Sequence, residues 1–350
     1  MKRVKLGLNG PEVSEICLGT MTYGNQTGQD DAFAQMDRAL DAGISFWDAA
    51  EIYPVNPVRK ETCGRTEEII GNWLAARGGR DRVQIATKVA GPGSALRDEG
   101  FSPEIMQQAV EGSLRRLQTD VIDLYQMHWP MRGHYHFRQM WGYDASGQDR
   151  AATVQHIDDM LGMMQNLADQ GKVRAFGLSN DTAWGITQWV TRAEGRGPRI
   201  VSVQNEYSLT YRSHDTDMAE ACVNENVTLL AYSPLAAGLL TGKYAFDTVP
   251  EGSRVTVDLA TGGKGNLGGR KTDRAAAAVE AYRALAREYG LSLIQMALAF
   301  IRQRPFPVIP ILGATSDAQL AEQLAGLDTV LPEDLLDRIN QTYRSHPFPY

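Results

Sequence analysis

The sequence predicts an α/β protein of the (β/α)8 TIM-barrel class, because eight apolar runs of strand length alternate with segments of helical periodicity. The runs are mostly continuous in apolar residues, which is typical of parallel strands covered on both faces. An open, doubly wound sheet is the alternative arrangement for this alternation. In chain order the runs are EICLGT, ISFWDAA, RVQIATKV, VIDLYQMH, VRAFGLSN, IVSVQNEY, VTLLAYSP and FPVIPILGA.

Segments with apolar residues at helical spacing lie between these runs. The clearest are DAFAQMDRALDAG, EIMQQAVEGSLRRLQ, IDDMLGMMQNLADQGK, AEACVNEN and DRAAAAVEAYRALAREYG. Gly43 and Gly290 are expected to end two helices, and Ser102 followed by Pro103 is expected to begin one, with the serine as its N-cap. This order is that of a barrel in which a helix follows each strand.

Both ends of the sequence predict elements beyond the eight repeats. The segment VKLGLNGPEVSEICLG predicts an N-terminal β-hairpin that turns at Asn9-Gly10, in a position to close the bottom of the barrel. The segment LPEDLLDRINQTYRS predicts an additional C-terminal helix. No linker or low-complexity segment interrupts the pattern, so residues 1–350 are expected to form a single domain.

Composition and charge limit the classes of function. The chain has 350 residues, 43% hydrophobic and 22% charged, and a formal net charge of −7. These values are typical of a globular protein and argue against nucleic acid or an anionic membrane as the main partner. No run of about 18 apolar residues is present, and MKRVKLGLNG lacks the apolar region of a signal peptide. Three scattered cysteines, Cys17, Cys63 and Cys222, favour a reducing, cytoplasmic location.

Two short motifs suggest ligands without the context that such ligands need. His134 and His136 form an i, i+2 pair with no third metal ligand nearby, so we expect a polar surface loop and no metal. The segment GKGNLG matches the G-x-G-x-x-G dinucleotide fingerprint, but the preceding VTVDLA is interrupted by Asp258, and GRKTD separates the motif from the next helix. Because the fingerprint requires a strand that leads directly into a helix, a flexible loop is the favoured interpretation.

Two connections between predicted elements are unusually long. Residues 129–152 follow the fourth strand and are rich in aromatic side chains, and residues 235–271 follow the seventh strand and are rich in Gly, Lys and Arg. Both are expected to be largely without regular structure. Because they follow strands, both lie on the face of a barrel that carries active sites, where long connections often act as lids.

Polar residues stand where three consecutive apolar runs end. Asp48 ends the second run, Lys88 ends IATK and His128 ends LYQMH, at intervals of 40 residues. Tyr53 lies in the connection that follows Asp48, in FWDAAEIYP. Because the carboxyl ends of barrel strands share one rim, we expect these four side chains to converge.

The four residue types suit proton transfer to a carbonyl oxygen. A tyrosine has an ordinary pKa of about 10, and the positive charge of Lys88 is expected to lower the pKa of Tyr53. Asp48 supplies the counter-ion that keeps Lys88 charged, and His128 supplies a donor to the incoming oxygen. Taken singly, a buried Asp–Lys pair, a histidine at a strand end and a tyrosine before proline are more often structural. Their convergence on one rim favours catalysis.

The motifs FWDAAEIYP, IATK and LYQMHWP resemble those of the aldo-keto reductase superfamily. The motifs GLSN, VQNEYSL, YSPLAAGLLTGKY and ILGATSDAQL extend this resemblance from about residue 16 to residue 325. The segments YPVNP and ETCGRTEEIIGNWL, with the HWP loop, resemble the Tas-like bacterial branch, which is also similar to potassium-channel β subunits.

This resemblance implies a role for each matched position. It implies that Tyr53 is the general acid, that Lys88 and Asp48 tune it, and that His128 orients the carbonyl group. The residues that it implies for binding a nicotinamide cofactor are Thr20, Met21, Ser179, Asn180, Gln204, Tyr232, Ser233, Pro234, Leu235, Lys243, Arg254, Gly313, Thr315, Gln319 and Gln323. Aromatic residues near the rim predict an apolar substrate pocket lined by Tyr23, Trp129, Trp141 and Tyr143, although sugar carbonyls also suit such walls.

NADPH is the expected cofactor, with NADH as the alternative. The segment LGATSDAQLAEQLAG contains no Lys or Arg that could face the 2′-phosphate of NADPH. The candidates for that contact are the backbone N–H groups at Ser316, or the cations of Arg254 and Lys243 with Arg270 behind them. Gln323 also differs from the asparagine that many members of the family carry.

Three functions fit these residues. The leading one is NADPH-dependent reduction of a small-molecule aldehyde or ketone. A cofactor-sensing regulatory subunit is the second, although such relatives can lack the histidine that is present here as His128. The third is a Schiff-base aldolase using Lys88, which Asp48 opposes because that chemistry requires a neutral amine. The sequence indicates no particular oligomeric state.

Overall fold

Eight parallel strands close into a barrel in the computed structural model, which describes residues 1–244 and 249–350. The strand order is β10-β3-β4-β5-β6-β7-β8-β9, and β10 pairs with β3 to complete the ring. This arrangement confirms the (β/α)8 barrel and excludes the open sheet. The strands are β1 (Arg3–Lys5), β2 (Glu12–Ser14), β3 (Cys17–Gly19), β4 (Phe46–Asp48), β5 (Gln84–Val89), β6 (Leu124–Met127), β7 (Phe176–Ser179), β8 (Ile200–Glu206), β9 (Thr228–Tyr232) and β10 (Val308–Gly313).

Each of the eight predicted apolar runs contains one barrel strand, and all of these strands are almost entirely buried. The helices surround them. They are α1 (Gln29–Asp41), α2 (Arg65–Arg77), α3 (Pro103–Leu117), α4 (Arg150–Asp169), α5 (Ala183–Ala193), α6 (Asp217–Glu225), α7 (Arg254–Ala260), α8 (Asp273–Glu288), α9 (Leu293–Arg302), α10 (Asp317–Leu324) and α11 (Glu333–Ser345). The C-terminal helix α11 is confirmed and packs against α8.

Local capping explains where several helices begin and end. Ser102 Oγ accepts a hydrogen bond from Ile105 N and Pro103 is the first residue of α3, as predicted. Gly43 and Gly290 follow α1 and α8 with φ of 83° and 67°, a conformation that glycine adopts without strain.

The N-terminal hairpin closes one end of the barrel. Strands β1 and β2 pair antiparallel, and Leu6 in the turn between them is completely buried. Leu6 packs in a cluster with Cys17, Phe46 and Leu124, which come from three barrel strands. The opposite end of the barrel, where the strands terminate, therefore remains available for a site.

The connection after β9 contains more regular structure than was predicted from the sequence. A short 3-10 segment covers Ala236–Thr241, and VTVDLA belongs to α7, whose N-cap is Ser253. The GKGNLG motif follows this helix in a series of turns, so the strand that a dinucleotide fingerprint requires is absent at this described position. The connection after β6 is long and irregular up to α4, as predicted.

Within the described residues no single helix is long and apolar enough to cross a membrane. Among these same residues, one bent pair of helices, α8 and α9, reaches that length and apolar content when the two are taken together.

Candidate active site

The three residues predicted at strand ends, Asp48, Lys88 and His128, lie together with Tyr53 at the open end of the barrel, and these four are called the tetrad below. Lys88 Nζ donates to Asp48 Oδ2 at 2.7 Å, to the backbone oxygen of Ala49 at 2.7 Å, and to Tyr53 Oη at 3.4 Å. His128 lies beside the tyrosine, with the two ring centroids 5.7 Å apart. Strands β4 and β5 carry Asp48 and Lys88, His128 directly follows β6, and the connection after β4 carries Tyr53.

Lys88 is charged although its side chain is completely buried. Burial lowers the pKa of Lys88, but the charges and hydrogen bonds of Asp48 and Tyr53 together raise that pKa above its ordinary value. Each ammonium proton has an acceptor, which offsets the cost of burying the charge.

The pKa of Tyr53 differs in direction from the expectation. Burial raises the pKa of Tyr53, and the nearby charge of Asp48 raises it further, while Lys88 and Arg254 lower it. Lys88 lowers this pKa as expected, but burial is the largest of these effects and makes the net shift upward. Tyr53 is therefore protonated near neutral pH, and the charge of Lys88 limits how far burial raises the pKa of Tyr53.

Asp48 is held by more donors than Lys88 alone. Its Oδ1 accepts from Gln204 Nε2 at 2.8 Å and from Gln126 Nε2 at 3.2 Å, while Oδ2 faces Lys88. Gln204 Nε2 also lies 3.3 Å from Gln126 Oε1. Gln204 is predicted from the sequence only as a cofactor contact, and Gln126 is not predicted at all, although an amide within the apolar run VIDLYQMH is a visible signal.

His128 is a neutral imidazole. Burial lowers the pKa of His128 well below its ordinary value, and the positive charge of Lys88 lowers it further. Its Nδ1 is buried and has no hydrogen-bond partner among the described residues. A neutral ring at this position can donate one N–H to an oxygen atom placed next to Tyr53.

The residues expected to hold the nicotinamide cluster next to the tetrad. Ser179 Oγ donates to the backbone oxygen of Gln204, and Asn180 Nδ2 donates to the backbone oxygen of His128 at 2.9 Å. Tyr232 Oη donates to Asn180 Oδ1 at 2.8 Å. Asn180 has a positive φ of 52°, which aims its side chain at this cluster.

Lys243 and Arg254 come from the long connection after β9 and lie close to each other. Burial lowers the pKa of Arg254 to about 10, and burial also lowers the pKa of Lys243, which the charge of Arg254 lowers further. Arg254 Nε lies 2.9 Å from Asn56 Oδ1, in the amide orientation that satisfies both groups. Neither cation forms a salt bridge within residues 1–244 and 249–350. By contrast, Arg270 donates to Glu206 Oε1 at 2.8 Å, so it is already paired.

The first turn after β9 contains three more residues that were predicted to contact the cofactor. Ser233 has a φ of 53°, Pro234 is buried, and Leu235 is buried against the core. The backbone N–H of Ala236 donates to the oxygen of Ser233, which closes a tight turn beside Tyr232.

The residues predicted for the adenosine end lie around the start of α10. Gly313 is exposed, and Thr315 N and Oγ1 both donate to Gln319 Oε1 at 3.1 Å. Gln323 Nε2 donates to the backbone oxygen of Gly313, while its Oε1 is buried and has no partner among the described residues. Arg38, from α1, is a nearby cation that the sequence does not reveal, but it is paired with Asp317, the first residue of α10.

Thr20 and Met21, in the connection after β3, both contact the segment that runs from Asp48 to Val55. Thr20 Oγ1 donates to the backbone oxygen of Asp48 at 2.7 Å and is completely buried. Met21 is half-buried and packs against the group formed by Ile52 and Tyr53, and its sulfur lies 3.9 Å from Arg254 Nη2.

The residues predicted to line the substrate pocket lie in different environments. Trp129 is half-buried against His128, with ring centroids 5.0 Å apart, and its Nε1 donates to the backbone oxygen of Pro92. Tyr23 is completely buried and donates from Oη to Gln35 Oε1 in α1, so its assignment to a pocket wall is wrong. Trp141 is 79% exposed.

Tyr143 binds within its own connection, since its Oη donates to the backbone oxygen of Gly133. It packs edge-on against Tyr135. These contacts do not bring Tyr143 to the tetrad, and its role in the pocket stays a prediction.

Two groups near the site were not predicted. A buried ion pair joins Glu51 to Arg97, and Glu51 also accepts from the backbone N–H of Ala90. Glu206 binds both Arg138 and Arg270, which ties together the long connections after β6 and β9. These pairs join residues that are far apart in sequence, so no local pattern identifies them.

The two histidines that formed an i, i+2 pair are packed as part of the connection after β6. His136 Nε2 lies 2.7 Å from the backbone oxygen of Asp181, and burial lowers the pKa of His136 to about 4. Within the part of the chain that the structure describes, no group of three or more His, Cys, Asp or Glu side chains could hold a metal ion.

A nicotinamide nucleotide fits the residues on this face. Two partly buried cations without a described salt-bridge partner are costly unless an anion lies between or beside them, and the phosphates of such a cofactor are anions. The buried Oε1 of Gln323, which has no partner among the described residues, offers an acceptor to the adenosine end of such a cofactor.

Comparisons with known proteins agree with this geometry. The family model described as "Aldo/keto reductase family" matches residues 15–344. Protein tas of Escherichia coli is 42% identical over 97% of this chain and 96% of its own length. The protein named uncharacterized oxidoreductase YrpG of Bacillus subtilis is 32% identical over 98% of this chain and 96% of its own. A probable voltage-gated potassium channel subunit beta of Oryza sativa is 30% identical over 99% of this chain and 98% of its own.

The family model covers nearly the whole barrel, and the relatives align along almost their entire length. The resemblance inferred from the motifs is thereby confirmed. The chain belongs to the aldo/keto reductase family, whose members are oxidoreductases that act on carbonyl groups.

Proposed function

We propose that this chain reduces a small-molecule aldehyde or ketone to the alcohol with NADPH, and that Tyr53 donates the proton. The observation that supports this most strongly is the buried Lys88 ammonium, which hydrogen-bonds Asp48 and Tyr53 at the open end of the barrel. A phenol with a charged lysine beside it is suited to give a proton to an oxygen that gains negative charge.

In this proposal Tyr53 Oη transfers its proton to the carbonyl oxygen as the carbonyl carbon receives a hydride. The nicotinamide, when bound, supplies that hydride. One hydride and one proton convert C=O into CH–OH, and Tyr53 is left as a phenolate. Lys88 stabilises the phenolate by charge and by the hydrogen bond from Nζ, and solvent restores the proton afterwards.

His128 positions the carbonyl group in the same step. Because burial keeps its imidazole neutral, the ring donates one N–H and adds no positive charge that would compete with Lys88. Trp129 packs against the ring of His128, and Met21 and Val55 pack near Tyr53. The carbonyl substrate therefore meets largely apolar walls.

We propose that Ser179, Asn180 and Gln204 hold the nicotinamide carboxamide and that Tyr232 stacks on the ring. Lys243 and Arg254 bind the phosphates, and the residues around Gln319 and Gln323 bind the adenosine. The preference for NADPH rests on these two cations, because α10 and the turn before it contribute no Lys or Arg. NADH is the alternative cofactor.

The Schiff-base reading is disfavoured by the contacts of Lys88. All three ammonium protons have acceptors, and the net effect of its neighbours raises the pKa of Lys88. An amine that attacks a carbonyl carbon must be neutral.

A regulatory role is the second candidate, because the relatives from Oryza sativa and Arabidopsis thaliana that are 30% and 29% identical are named as probable potassium channel β subunits. In that role the chain binds the cofactor and reduces carbonyls weakly. The complete set of Asp48, Tyr53, Lys88 and His128, in contact with one another at the open end of the barrel, favours an enzyme.

The experiment that separates the two is a turnover assay with the purified chain. NADPH and a panel of aromatic, aliphatic and sugar aldehydes are supplied, and both NADPH oxidation and the alcohol product are measured. Catalysis over many turnovers on at least one class supports the reductase. Tight NADPH binding with no more than a single turnover on every class would favour the regulatory role.

A further inference from the structure

Gln126 lies inside the barrel in β6, where its side chain reaches the catalytic aspartate. It is completely buried, and its Nε2 donates to Asp48 Oδ1 at 3.2 Å. Its Oε1 lies 3.3 Å from Gln204 Nε2. Both ends of this amide are therefore engaged with residues of the proposed site.

The strands make room for this amide. Gln126 is in register with Lys88 on one side and with Gly177 of β7 on the other. A β-carbon at Gly177 would lie 3.3 Å from the Gln126 side chain and 2.4 Å from Ser202 Oγ. Glycine in a strand interior is unfavourable, so its presence here is consistent with the space that the amide occupies.

We infer that Gln126 is a positioning residue, which holds Oδ1 of Asp48 so that Oδ2 stays directed at Lys88. This inference rests on the proposed function, because it concerns the same proton transfer. Gln204 is the other donor to Oδ1, but it is also one of the residues proposed to face the nicotinamide carboxamide. Gln126 has no such second task and is the donor that stays with Asp48 throughout.

The electrostatic consequence follows from the direction in which Asp48 acts. Its negative charge raises the pKa of Tyr53, so a donor that partly neutralises Oδ1 keeps the phenol more acidic. Without Gln126 the carboxylate is less neutralised, and Tyr53 becomes a weaker acid. The other charged or titratable groups that act on this cluster are Lys88, Arg254, His128 and the buried thiol of Cys17.

The test compares Gln126→Met with Gln303→Met. Methionine keeps the length and volume of glutamine but cannot donate to Asp48. Gln303 also makes two side-chain hydrogen bonds, to the backbone of Leu331, but belongs to the end of α9. Each variant is examined for thermal stability, NADPH affinity, kcat and KM, and the pH profile of alcohol oxidation.

The expected result for Gln126→Met is a fall in kcat of roughly 10- to 100-fold with little change in KM or in NADPH affinity. Oxidation needs the phenolate, so its pH profile should move to higher pH by about one unit. Gln303→Met should lose stability only. A Gln126→Met enzyme with unchanged kcat and pH profile and merely lower stability would show that Gln126 is only packing.

A second readout does not depend on turnover. Ultraviolet difference titration of each protein against the same protein carrying Tyr53→Phe reports the ionisation of Tyr53. The inference requires this ionisation at lower pH with Gln126 than with methionine, and identical titrations would overturn it. If the titrations differ in a chain that reduces no carbonyl, the positioning role stands and the proposed reductase function fails.

Discussion

Lys88 is the residue on which the charge balance of the site depends. It separates the negative charge of Asp48 from the phenol of Tyr53, and it is the only ammonium bonded to either of them among the described residues. Removing it leaves Asp48 buried and unneutralised, which both raises the pKa of Tyr53 and destabilises the barrel end.

We therefore expect Lys88→Met to lose at least about 100-fold in kcat for carbonyl reduction, since both the acidity of Tyr53 and the stability of its phenolate depend on this charge. The matched control is Lys172→Met, which removes a lysine from a more exposed pair with Glu111. Steady-state kinetics over a range of pH decide the matter. A Lys88→Met enzyme that keeps the wild-type pH profile would exclude the proposed tuning.

The residues at strand ends were predictable because a polar side chain in an apolar run has few structural explanations. Asp48, Lys88 and His128 were found in this way, and the same signal was present at Gln126, two residues before His128. Tyr23 shows the limit, because its position near Met21 in sequence says nothing about its direction, and packing turns it into the core. The pKa of Tyr53 was misjudged because the sequence shows neighbouring charges but not how deeply the phenol is buried.

The connection between β9 and α8 is the element that supplies both cations of the proposed phosphate site. Lys243 follows the 3-10 segment, and Arg254 begins α7, whose cap at Ser253 fixes where the arginine starts. The connection thus returns to the catalytic end of the barrel, where Arg254 meets Met21 and Asn56.

Arg254→Ala is expected to weaken NADPH binding about 10- to 150-fold and to leave NADH binding nearly unchanged, because a charge-assisted hydrogen bond contributes roughly 1.5–3 kcal/mol. Lys264→Ala, an exposed lysine of the same connection, is the control. Fluorescence titration with both cofactors measures the effect. Equal losses for NADPH and NADH would place Arg254 at the pyrophosphate and contradict its assignment to the 2′-phosphate.

Elements were predictable to different degrees. Each barrel strand lay inside a predicted run because strands buried on both faces are apolar throughout. Helix α7 was missed because VTVDLA is rich in β-branched residues, and a serine cap together with tertiary contacts outweighs that weak preference. The ion pairs from Glu206 to Arg138 and Arg270 join distant connections, which periodicity does not detect.

The whole molecule buries several histidines in the neutral form, and this makes its stability depend on pH. Burial lowers the pKa of His214 to about 4, and both of its ring nitrogens lack partners among the described residues. The pKa of His214 in the folded state lies below its ordinary value of about 6.5. The contribution of the neutral ring to the free energy of unfolding is therefore complete above about pH 6.5, and it is lost as the pH falls from there toward the folded-state pKa. His136 behaves in the same direction.

Between pH 7 and pH 5 the protonation of His214 in the unfolded chain should therefore remove about 2 kcal/mol from the free energy of unfolding. The variant His214→Phe, in which the ring still packs on Phe306, should lose correspondingly less stability over the same interval. His346→Phe, near the end of α11, is the control. Urea denaturation at both pH values measures the difference, and identical pH dependence in His214→Phe and wild type would refute it.

The barrel, its closing hairpin and its open end together present one phenol, Tyr53, as the proposed proton donor. Phenylalanine in its place keeps the ring beside Lys88 and His128 but has no proton to give. We expect Tyr53→Phe to bind NADPH within about twofold of the wild-type affinity and to lose at least about 100-fold in kcat for aldehyde reduction. The measurement is NADPH titration and steady-state turnover on the same purified preparation. Near-normal turnover by Tyr53→Phe would contradict the assignment of Tyr53 as the general acid.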